Sequence, residues 1–191
     1  MEIVIATNNK GKVAEIKEIL STHKIMSQSE VGIHLDAEET GSTFAENALI
    51  KARAIKEFTD CAILADDSGL VVKSLGGEPG LYSSRYAGDG CTPDQCIDKL
   101  LYNMKDIQNR SAYFISVVAL IMPDGSEHIF EGRCEGEITY ERKGNGGFGY
   151  DPVFYVKKYN KTFSEMGEQQ KNKISHRYKA LQKAKEFLEG K

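Results

Sequence analysis

Long apolar runs are missing from this sequence of 191 residues. None approaches the roughly 20 residues that a transmembrane helix needs. The opening Met-Glu-Ile-Val-Ile-Ala also lacks the basic region and cleavage site of a secretory signal. Glycine and proline are not in excess, at 18 and 4 residues, so composition gives no sign of a disordered chain. We therefore expect a folded cytoplasmic protein with no membrane partner.

The sequence also lacks a paired cysteine motif. Its four cysteines include no C-x-x-C pair, and Cys91 and Cys96 alone lack the companion ligands of a zinc site. We interpret Cys61, Cys91, Cys96 and Cys134 as reduced thiols.

An excess of basic residues is absent as well, since 25 Lys and Arg face 28 Asp and Glu for a net charge of −3. Affinity for a nucleic-acid backbone comes mostly from Lys and Arg contacts to phosphates. We therefore expect no nucleic-acid partner. A small anionic ligand would need a local basic pocket.

The length and the hydrophobic pattern indicate one domain over residues 1–191, in which two lobes are possible. Helical periodicity and capping residues predict helices after residue 12, from Thr43 to about Phe58, from about Pro93, and from about Ser175 to the end. Strands are predicted at residues 3–6, 62–65, 70–72, 113–122, 128–134 and 136–142.

A polar loop joins the first predicted strand to the first helix. Free backbone N–H groups and the helix dipole at such a loop favour an anion. The phosphate-binding pattern G-x-x-x-x-G-K-[ST] is absent, so a capped helix with solvated lysines is an equal interpretation. The loop consists of Thr7, Asn8, Asn9, Lys10, Gly11 and Lys12.

Two pairs of carboxylates form a second candidate site. Glu38 and Glu39 precede the second helix, and Asp66 and Asp67 follow the strand at 62–65, which predicts that they lie at a strand end. Hard cations such as Mg²⁺ take oxygen ligands, often one or two carboxylates plus substrate phosphates. The alternative is a turn with exposed acids, because Asp-Ser-Gly is common in turns.

Lys51 interrupts an apolar face of the second predicted helix, where it falls between Ala48 and Ile55. Two interpretations have equal weight. Either the lysine stem extends to the surface, or its ammonium reaches a buried anion such as a triphosphate.

Two further segments are candidates for binding a base. Residues 146–152 combine glycines, which allow close backbone approach, with the aromatic rings of Phe148 and Tyr150 and with Asp151. A glycine-rich bend that packs its aromatics into the core is the alternative. His176 and Arg177 begin the last predicted helix, where cations oppose the helix dipole and hint at an anionic or carbonyl-bearing ligand.

Taken in order, these motifs resemble the inosine/xanthosine triphosphate pyrophosphatase family, over residues 7–177. The matching segments are Thr7-x-Asn9-x-x-Lys12, residues 38–48, residues 65–70, Gly76-Gly77-x-Pro79-Gly80-x-Tyr82-Ser83-x-Arg85, Phe148-Gly149-Tyr150-Asp151-Pro152 and Ser175-His176-Arg177. The resemblance implies an α/β fold in which helices flank an elongated mixed β-sheet, with two lobes around a central substrate cleft. It also implies a homodimer and Mg²⁺-dependent hydrolysis between the α- and β-phosphates, with Mn²⁺ as a substitute.

The resemblance further assigns roles to individual residues. The loop from Thr7 to Lys12 and Ser68 would bind phosphates, while Glu39 and Asp67 would hold the metal and Asp67 would be the general base. Nucleotide binding, mainly to the base, would fall to Phe148, Gly149, Tyr150, Asp151, Lys171, His176 and Arg177. Only the resemblance favours Asp67 over Asp66 as the base.

These roles predict an enzyme that removes noncanonical purine nucleoside triphosphates, namely ITP, dITP and XTP, from the nucleotide pool. Lys12, Lys51 and a metal ion would offset the phosphate charge. Donors to the 6-keto oxygen of hypoxanthine or xanthine would mismatch adenine. The alternatives are a related pyrophosphatase for modified pyrimidine or methylated nucleotides, and a nucleotide- or RNA-binding module without turnover.

Overall fold

A computed structural model describes residues 1–190 of the protein. Its helices are α1 (Lys10–Ile19), α2 (Phe44–Lys56), α3 (Pro93–Asn103), α4 (Glu168–Asn172) and α5 (His176–Leu188). Its strands are β1 (Glu2–Ile5), β2 (Lys24–Ser27), β3 (Ala62–Val72), β4 (Ser111–Ile121), β5 (Glu127–Ile138), β6 (Phe154–Val156) and β7 (Lys161–Thr162).

The strands form one seven-stranded sheet in the order β2-β1-β3-β4-β5-β6-β7. β1 pairs in parallel with β2 and β3, whereas β5 with β6 and β6 with β7 are antiparallel. The sheet is therefore mixed, and the predicted α/β class with helices flanking a mixed sheet is confirmed.

Local sequence signals set the starts of two helices. Thr43 caps α2 by accepting from the backbone N–H of Glu46, as its spacing predicts. Thr92 and Gln95 form a capping box at α3, and Pro93 occupies the first turn, where its missing N–H costs nothing. Both predicted starts are confirmed.

The structure corrects two strand predictions. Residues 62–72 form one continuous strand, so the predicted strand end before Asp66 and the alternative of a turn with exposed acids are both wrong, and the two carboxylates lie inside β3. The strand predicted at 136–142 is not separate, because β5 already runs from Glu127 to Ile138. β2, β6, β7 and α4 have no counterpart among the predicted elements.

The chain divides into two compact units. The first contains residues 1–67, 116–132 and the chain from Arg177 onward, and the second contains residues 68–115 and 133–176. Among residues 1–190, no helix combines the length and apolarity that crossing a membrane requires.

In the first unit, the two faces of the sheet pack against different helices. Successive strand residues point to opposite faces. Leu64 of β3 therefore shares a core cluster with residues of α1 and α5, whereas Ala65 shares another with Ala48 and Ala52 of α2. This alternation predicts that Asp66 faces α1 and α5 and that Asp67 faces α2.

The second unit has its own core around three phenylalanine rings. Phe114 and Phe163 stack with centroids 5.7 Å apart, and Phe154 lies 4.6 Å from Phe114. Residues of α3, including Cys96 and Leu100, complete this cluster.

Candidate active site

Asp66 forms a buried ion-pair centre on the α1 and α5 face of β3. Its Oδ2 lies 3.1 Å from Nζ of Lys12 and 3.2 Å from Nε of Arg177, and its side chain is fully buried. Burial raises the pKa of this carboxyl, but the charges of Lys12, Arg177 and Lys51 outweigh burial and hold the pKa well below its ordinary value. Asp66 therefore stays ionised and paired.

Arg177 is held from two sides. Its Nε contacts Asp66, its Nη1 donates to Oε2 of Glu15 at 2.5 Å, and only 3% of its side chain is exposed. Burial lowers the pKa of this guanidinium, but the two carboxylates raise it further, so the charge is retained. Arg177 and Lys12 thus both contact the carboxylate of Asp66. The predicted role of Arg177 in base binding did not anticipate this contact.

Lys12 joins the predicted phosphate loop to this centre. Burial lowers the pKa of its ammonium, and the carboxylate of Asp66 raises it. The neighbouring charge of Arg177 lowers the pKa again, so the net pKa is below its ordinary value. Of the two interpretations of the loop, solvated lysines are wrong for Lys12, because its side chain is largely buried against Asp66.

The loop itself is ordered by Asn9. Asn9 Oδ1 accepts from the backbone N–H groups of Gly11 and Lys12 at 3.0 and 3.2 Å, and the Asn9 N–H donates to Oγ1 of Thr7. The expectation of free N–H groups in the first helical turn is therefore wrong for Gly11 and Lys12. Asn8, Lys10 and Gly11 are exposed on this loop.

Asp67 lies on the opposite face of β3 and contacts α2. Nζ of Lys51 lies 3.2 Å from Oδ1 of Asp67 and 3.0 Å from Oε1 of Glu39. Burial raises the pKa of Asp67, Lys51 opposes this, and the carboxylate of Glu39 raises it again, so the net pKa is above its ordinary value. This carboxylate is the better proton acceptor of the adjacent pair.

Lys51 does not extend to the surface, so the first of its two interpretations is wrong, and a triphosphate as its buried anion stays a prediction. The anions that the structure shows are the carboxylates of Glu39 and Asp67. Burial lowers the pKa of Lys51, but Asp67, Asp66 and Glu39 raise it further, so the ammonium stays charged.

The carboxylates of Glu39 and Asp67 fit a hard divalent cation. One oxygen of each lies within 3.2 Å of Nζ of Lys51, which brings the two carboxylates close together. Within residues 1–190 no group of three or more His, Cys, Asp or Glu side chains is placed to hold a metal. Mg²⁺ needs only one or two carboxylates when phosphates and water complete its shell, so the donor set suits it.

Asn47 is a polar contact of this site that the sequence analysis did not single out. Its Nδ2 donates to Oδ2 of Asp67 at 3.3 Å, and its Oδ1 accepts from the Gly41 backbone N–H at 2.8 Å. A Cβ at Gly41 would lie 2.7 Å from that oxygen. The sequence could have indicated Asn47, because it lies four residues before Lys51 and therefore on the same face of α2.

In the second unit, Lys171 contacts two residues of the predicted base-binding segment. Its Nζ lies 2.7 Å from Oδ2 of Asp151 and 4.4 Å from the ring centroid of Phe148. The Phe148 N–H donates to the same oxygen of Asp151 at 2.9 Å. Gly147 has a φ of +78°, and a Cβ there would lie 2.1 Å from Asp151 Oδ2, so glycine is required.

The remaining predicted residues of this unit are partly grouped. His176 is buried and stacks on Phe114 with centroids 4.7 Å apart. The Tyr150 hydroxyl donates to the Ser83 carbonyl at 2.8 Å, so Tyr150 packs inward as the bend interpretation expects, whereas residue Phe148 is 45% exposed. Gly149 lies between them with a φ of +58°, and Ser68 lies in β3 directly after Asp67.

The chain is similar to proteins of a known family. The sequence profile of the Ham1 family matches residues 3–187. A relative from Staphylococcus epidermidis named dITP/XTP pyrophosphatase is 47% identical over 99% of this chain and 97% of its own length.

Solved structures extend the likeness to the fold. The Staphylococcus aureus Ham1 protein superposes with a TM-score of 0.92 at 44% identity, covering 100% of this chain and 99% of that one. A HAM1 protein from Coxiella burnetii gives a TM-score of 0.93 at 44% identity, with full coverage of both chains. The predicted resemblance is confirmed, and the chain belongs to the Ham1 family.

Proposed function

We propose that the protein hydrolyses noncanonical purine nucleoside triphosphates, such as ITP, dITP and XTP, to the nucleoside monophosphate and pyrophosphate. All 191 residues would serve this one enzymatic domain. The observation that carries the proposal is that Asp67 and Glu39 both contact Lys51. The preceding strand residue, Asp66, contacts Lys12. This combination suits an anionic substrate, a cation and an activated water. The dITP/XTP pyrophosphatase name of the Staphylococcus epidermidis relative supports the same reaction.

Asp67 is the general base in this proposal. Its carboxylate is partly exposed and contacts one cation, whereas Asp66 is fully buried between Lys12 and Arg177, so Asp67 is the carboxylate that can reach the attacking water. Lys51 and Asn47 each donate to one Asp67 oxygen and so orient the carboxylate. The water oxygen forms the new bond to phosphorus, the anhydride bond between the α- and β-phosphates breaks, and pyrophosphate leaves.

The phosphates bind to the loop from Thr7 to Lys12 and to Ser68 in our proposal. The triphosphate carries about four negative charges, which Lys12 and Lys51 offset as charge moves onto the leaving pyrophosphate. Glu39 and Asp67 hold Mg²⁺, for which Mn²⁺ can substitute, and the bound ion would lower the pKa of the attacking water.

The purine base binds to residues 148–151 together with Lys171 and His176. The exposed ring of Phe148 offers a stacking face, and the Lys171 ammonium beneath it supplies charge and a hydrogen-bond donor. A buried donor facing the 6-keto oxygen would be left unpaired by the 6-amino group of adenine, which disfavours ATP by up to about 10⁴-fold. Arg177 contributes to nucleotide binding from its position between Asp66 and Glu15.

We also propose that the enzyme is a cytoplasmic homodimer, as the family resemblance implies. Light scattering coupled to size-exclusion chromatography tests the dimer, because it measures the mass of the particle against the 21.2 kDa of one chain. A particle with the mass of one chain at micromolar concentration contradicts this part of the proposal.

Product analysis tests the reaction. Purified protein, ITP and Mg²⁺ should yield IMP and pyrophosphate in equal amounts, and EDTA should stop the reaction. Release of IDP and inorganic phosphate contradicts cleavage between the α- and β-phosphates. Binding of ITP without any product would instead favour the nucleotide-binding module.

A further inference from the structure

Cys91 and Cys96 place two thiols in contact in the second unit. Their Sγ atoms lie 3.0 Å apart, which is closer than two unbonded sulfur atoms usually approach. Cys91 is half-buried and precedes the Thr92 cap of α3, while Cys96 is buried inside that helix. A disulfide has an S–S length of about 2.04 Å, so the sulfurs need to move together by only about 1 Å.

The surroundings of Cys96 favour its thiolate. Burial raises the pKa of this thiol, but hydrogen bonds from the Cys91 thiol and from the backbone of Ala87 and Tyr86 outweigh burial and lower it. A thiol with a lowered pKa beside a second, partly exposed thiol is the arrangement that reacts with oxidants.

Cys96 also lies in the core cluster of the predicted base-binding segment. Cys96 and Tyr150, which lies two positions after Phe148, are both buried in that cluster. The Tyr150 hydroxyl donates to the Ser83 carbonyl at 2.8 Å, which anchors the ring there. A change in the chemistry of Cys96 therefore reaches the segment that carries Phe148 and Asp151.

We propose that Cys91 and Cys96 form a reversible oxidation site, which a hydroperoxide converts to an intramolecular disulfide. One thiolate attacks the peroxide, the O–O bond breaks, and the sulfur becomes a sulfenic acid while the peroxide leaves as water or an alcohol. The second thiol attacks that sulfur, the S–S bond forms, and the S–O bond breaks with loss of water. Two thiols are oxidised by two electrons, and the peroxide is reduced by two.

A zinc site is the competing use of two adjacent thiols. Tetrahedral zinc needs three or four protein ligands. In the part of the chain that the structure describes, no third His, Cys, Asp or Glu joins the pair in a group that could hold a metal. The contact is therefore better suited to oxidation than to metal binding.

Peptide mapping tests the site without using the activity. Cleavage after Arg85 and Lys99 places Cys91 and Cys96 on one tryptic peptide that contains no other cysteine. The whole protein is treated with increasing hydrogen peroxide, alkylated with iodoacetamide and digested. We expect this peptide to lose two hydrogens and both alkylation sites together, and to recover them with dithiothreitol. The partly exposed Cys61 should still be alkylated at the dose that converts half of the pair.

Matched variants distinguish disulfide formation between Cys91 and Cys96 from general cysteine oxidation. Cys91→Ser and Cys96→Ser should each abolish the disulfide peptide, whereas Cys61→Ser should leave it unchanged. The proposal is overturned if Cys91 and Cys96 stay alkylatable at doses that oxidise Cys61. It is equally overturned if they are driven to sulfonic acid without a disulfide.

The link to Tyr150 has its own test, which rests on the proposed function. A disulfide moves the Cys96 side chain within the cluster on which Tyr150 packs, so it should raise the KM for ITP of the oxidised protein by about two- to tenfold. Dithiothreitol should restore it, and Cys91→Ser should show no change with peroxide. An unchanged KM in a protein shown to be oxidised by mapping overturns the link. Absence of any turnover in the reduced protein counts against the proposed function alone.

Discussion

The two faces of β3 in the first unit carry the same residue type in two different settings. On the α1 and α5 face, Asp66 is fully buried and contacts two cations, Lys12 and Arg177. On the α2 face, Asp67 contacts one cation, Lys51, which it shares with Glu39. The pKa of Asp66 is depressed, and that of Asp67 is raised.

The difference follows from the number of cations around each carboxylate. Burial raises the pKa of both, and two direct cation contacts outweigh it at Asp66, whereas one shared cation and a neighbouring carboxylate do not outweigh it at Asp67. Adjacent residues of a strand thereby differ in burial, pairing and pKa. This contrast supports the proposal that Asp67 is the base, which the residue pattern alone does not favour over Asp66.

The largest expected effect is on turnover. Asp67→Asn should lower kcat for ITP by about 10³-fold, within the range for loss of a general base. Its free energy of unfolding should change by no more than about 1 kcal/mol, because Lys51 keeps its contact with Glu39. Steady-state kinetics and urea denaturation of the same preparation measure both. Turnover that survives intact in Asp67→Asn contradicts the assignment.

Asp66→Asn should show the reverse pattern, with stability as the main loss. Removing this charge leaves Lys12 and Arg177 without their shared partner, and breaking a buried pair costs about 3 to 5 kcal/mol. Urea denaturation at pH 7 measures the loss, with Asp60→Asn as a control on an exposed aspartate of the same unit. Equal free energies of unfolding for the two variants would contradict the stabilising role of Asp66 on the α1 and α5 face.

The stability that Asp66 provides should also depend on pH. Since its folded pKa is depressed, the contribution is fully present above the unfolded pKa of about 3.9 and is lost as pH falls toward the folded pKa. The stability difference between wild type and Asp66→Asn should therefore be constant from pH 7 to about 5 and shrink below about 4. Urea midpoints across this range test the sign, and a difference that grows in acid contradicts it.

Glu15→Gln should have a smaller effect on the same face. Arg177 would lose one ionic partner but keep Asp66, so we expect a loss of about 1.5 kcal/mol, in the range for a hydrogen bond to a charged group. Thermal unfolding measures it against Glu57→Gln, which changes an exposed glutamate. A loss no larger than that of the control would show that Glu15 does not support Arg177.

The smallest expected effect lies on the α2 face. Asn47→Ala removes a donor to Asp67 and the acceptor of the Gly41 N–H, at a cost of about 1 kcal/mol in stability. If Asn47 orients Asp67, kcat should fall while the KM for ITP changes little. A rise in KM at constant kcat would assign Asn47 to substrate binding instead.

Local signals in the sequence predicted much of the fold but not that β3 is one continuous strand. Thr43 and Thr92 mark helix starts through contacts three residues away, which spacing reveals. Asp66-Asp67-Ser68-Gly69 looked like a turn because its stabilising cations are distant in the chain, and Arg177 is 111 residues from Asp66. The strands β6 and β7, of three and two residues, are too short to show a period.

The candidate site was predicted more by resemblance than by pattern. Motif order identified the family, and the assignment of Glu39 and Asp67 to metal and of residues 148–151 to the base stays a prediction. Helical geometry did single out Lys51 as an unusual residue on an apolar face, and its burial between two carboxylates explains the interruption. Glu15 was missed because its partner is set by tertiary packing, whereas Asn47 could have been found from its position four residues before Lys51 on the same face of α2.

The most direct test of the proposed function is a kinetic comparison of substrates with one preparation and Mg²⁺. Pyrophosphate release gives kcat/KM for ITP, dITP and XTP beside ATP, GTP, dTTP and UTP. We predict that the three noncanonical purines are preferred, with ATP disfavoured by at least about 100-fold. Preference for a pyrimidine or for GTP over ITP and XTP would contradict the account.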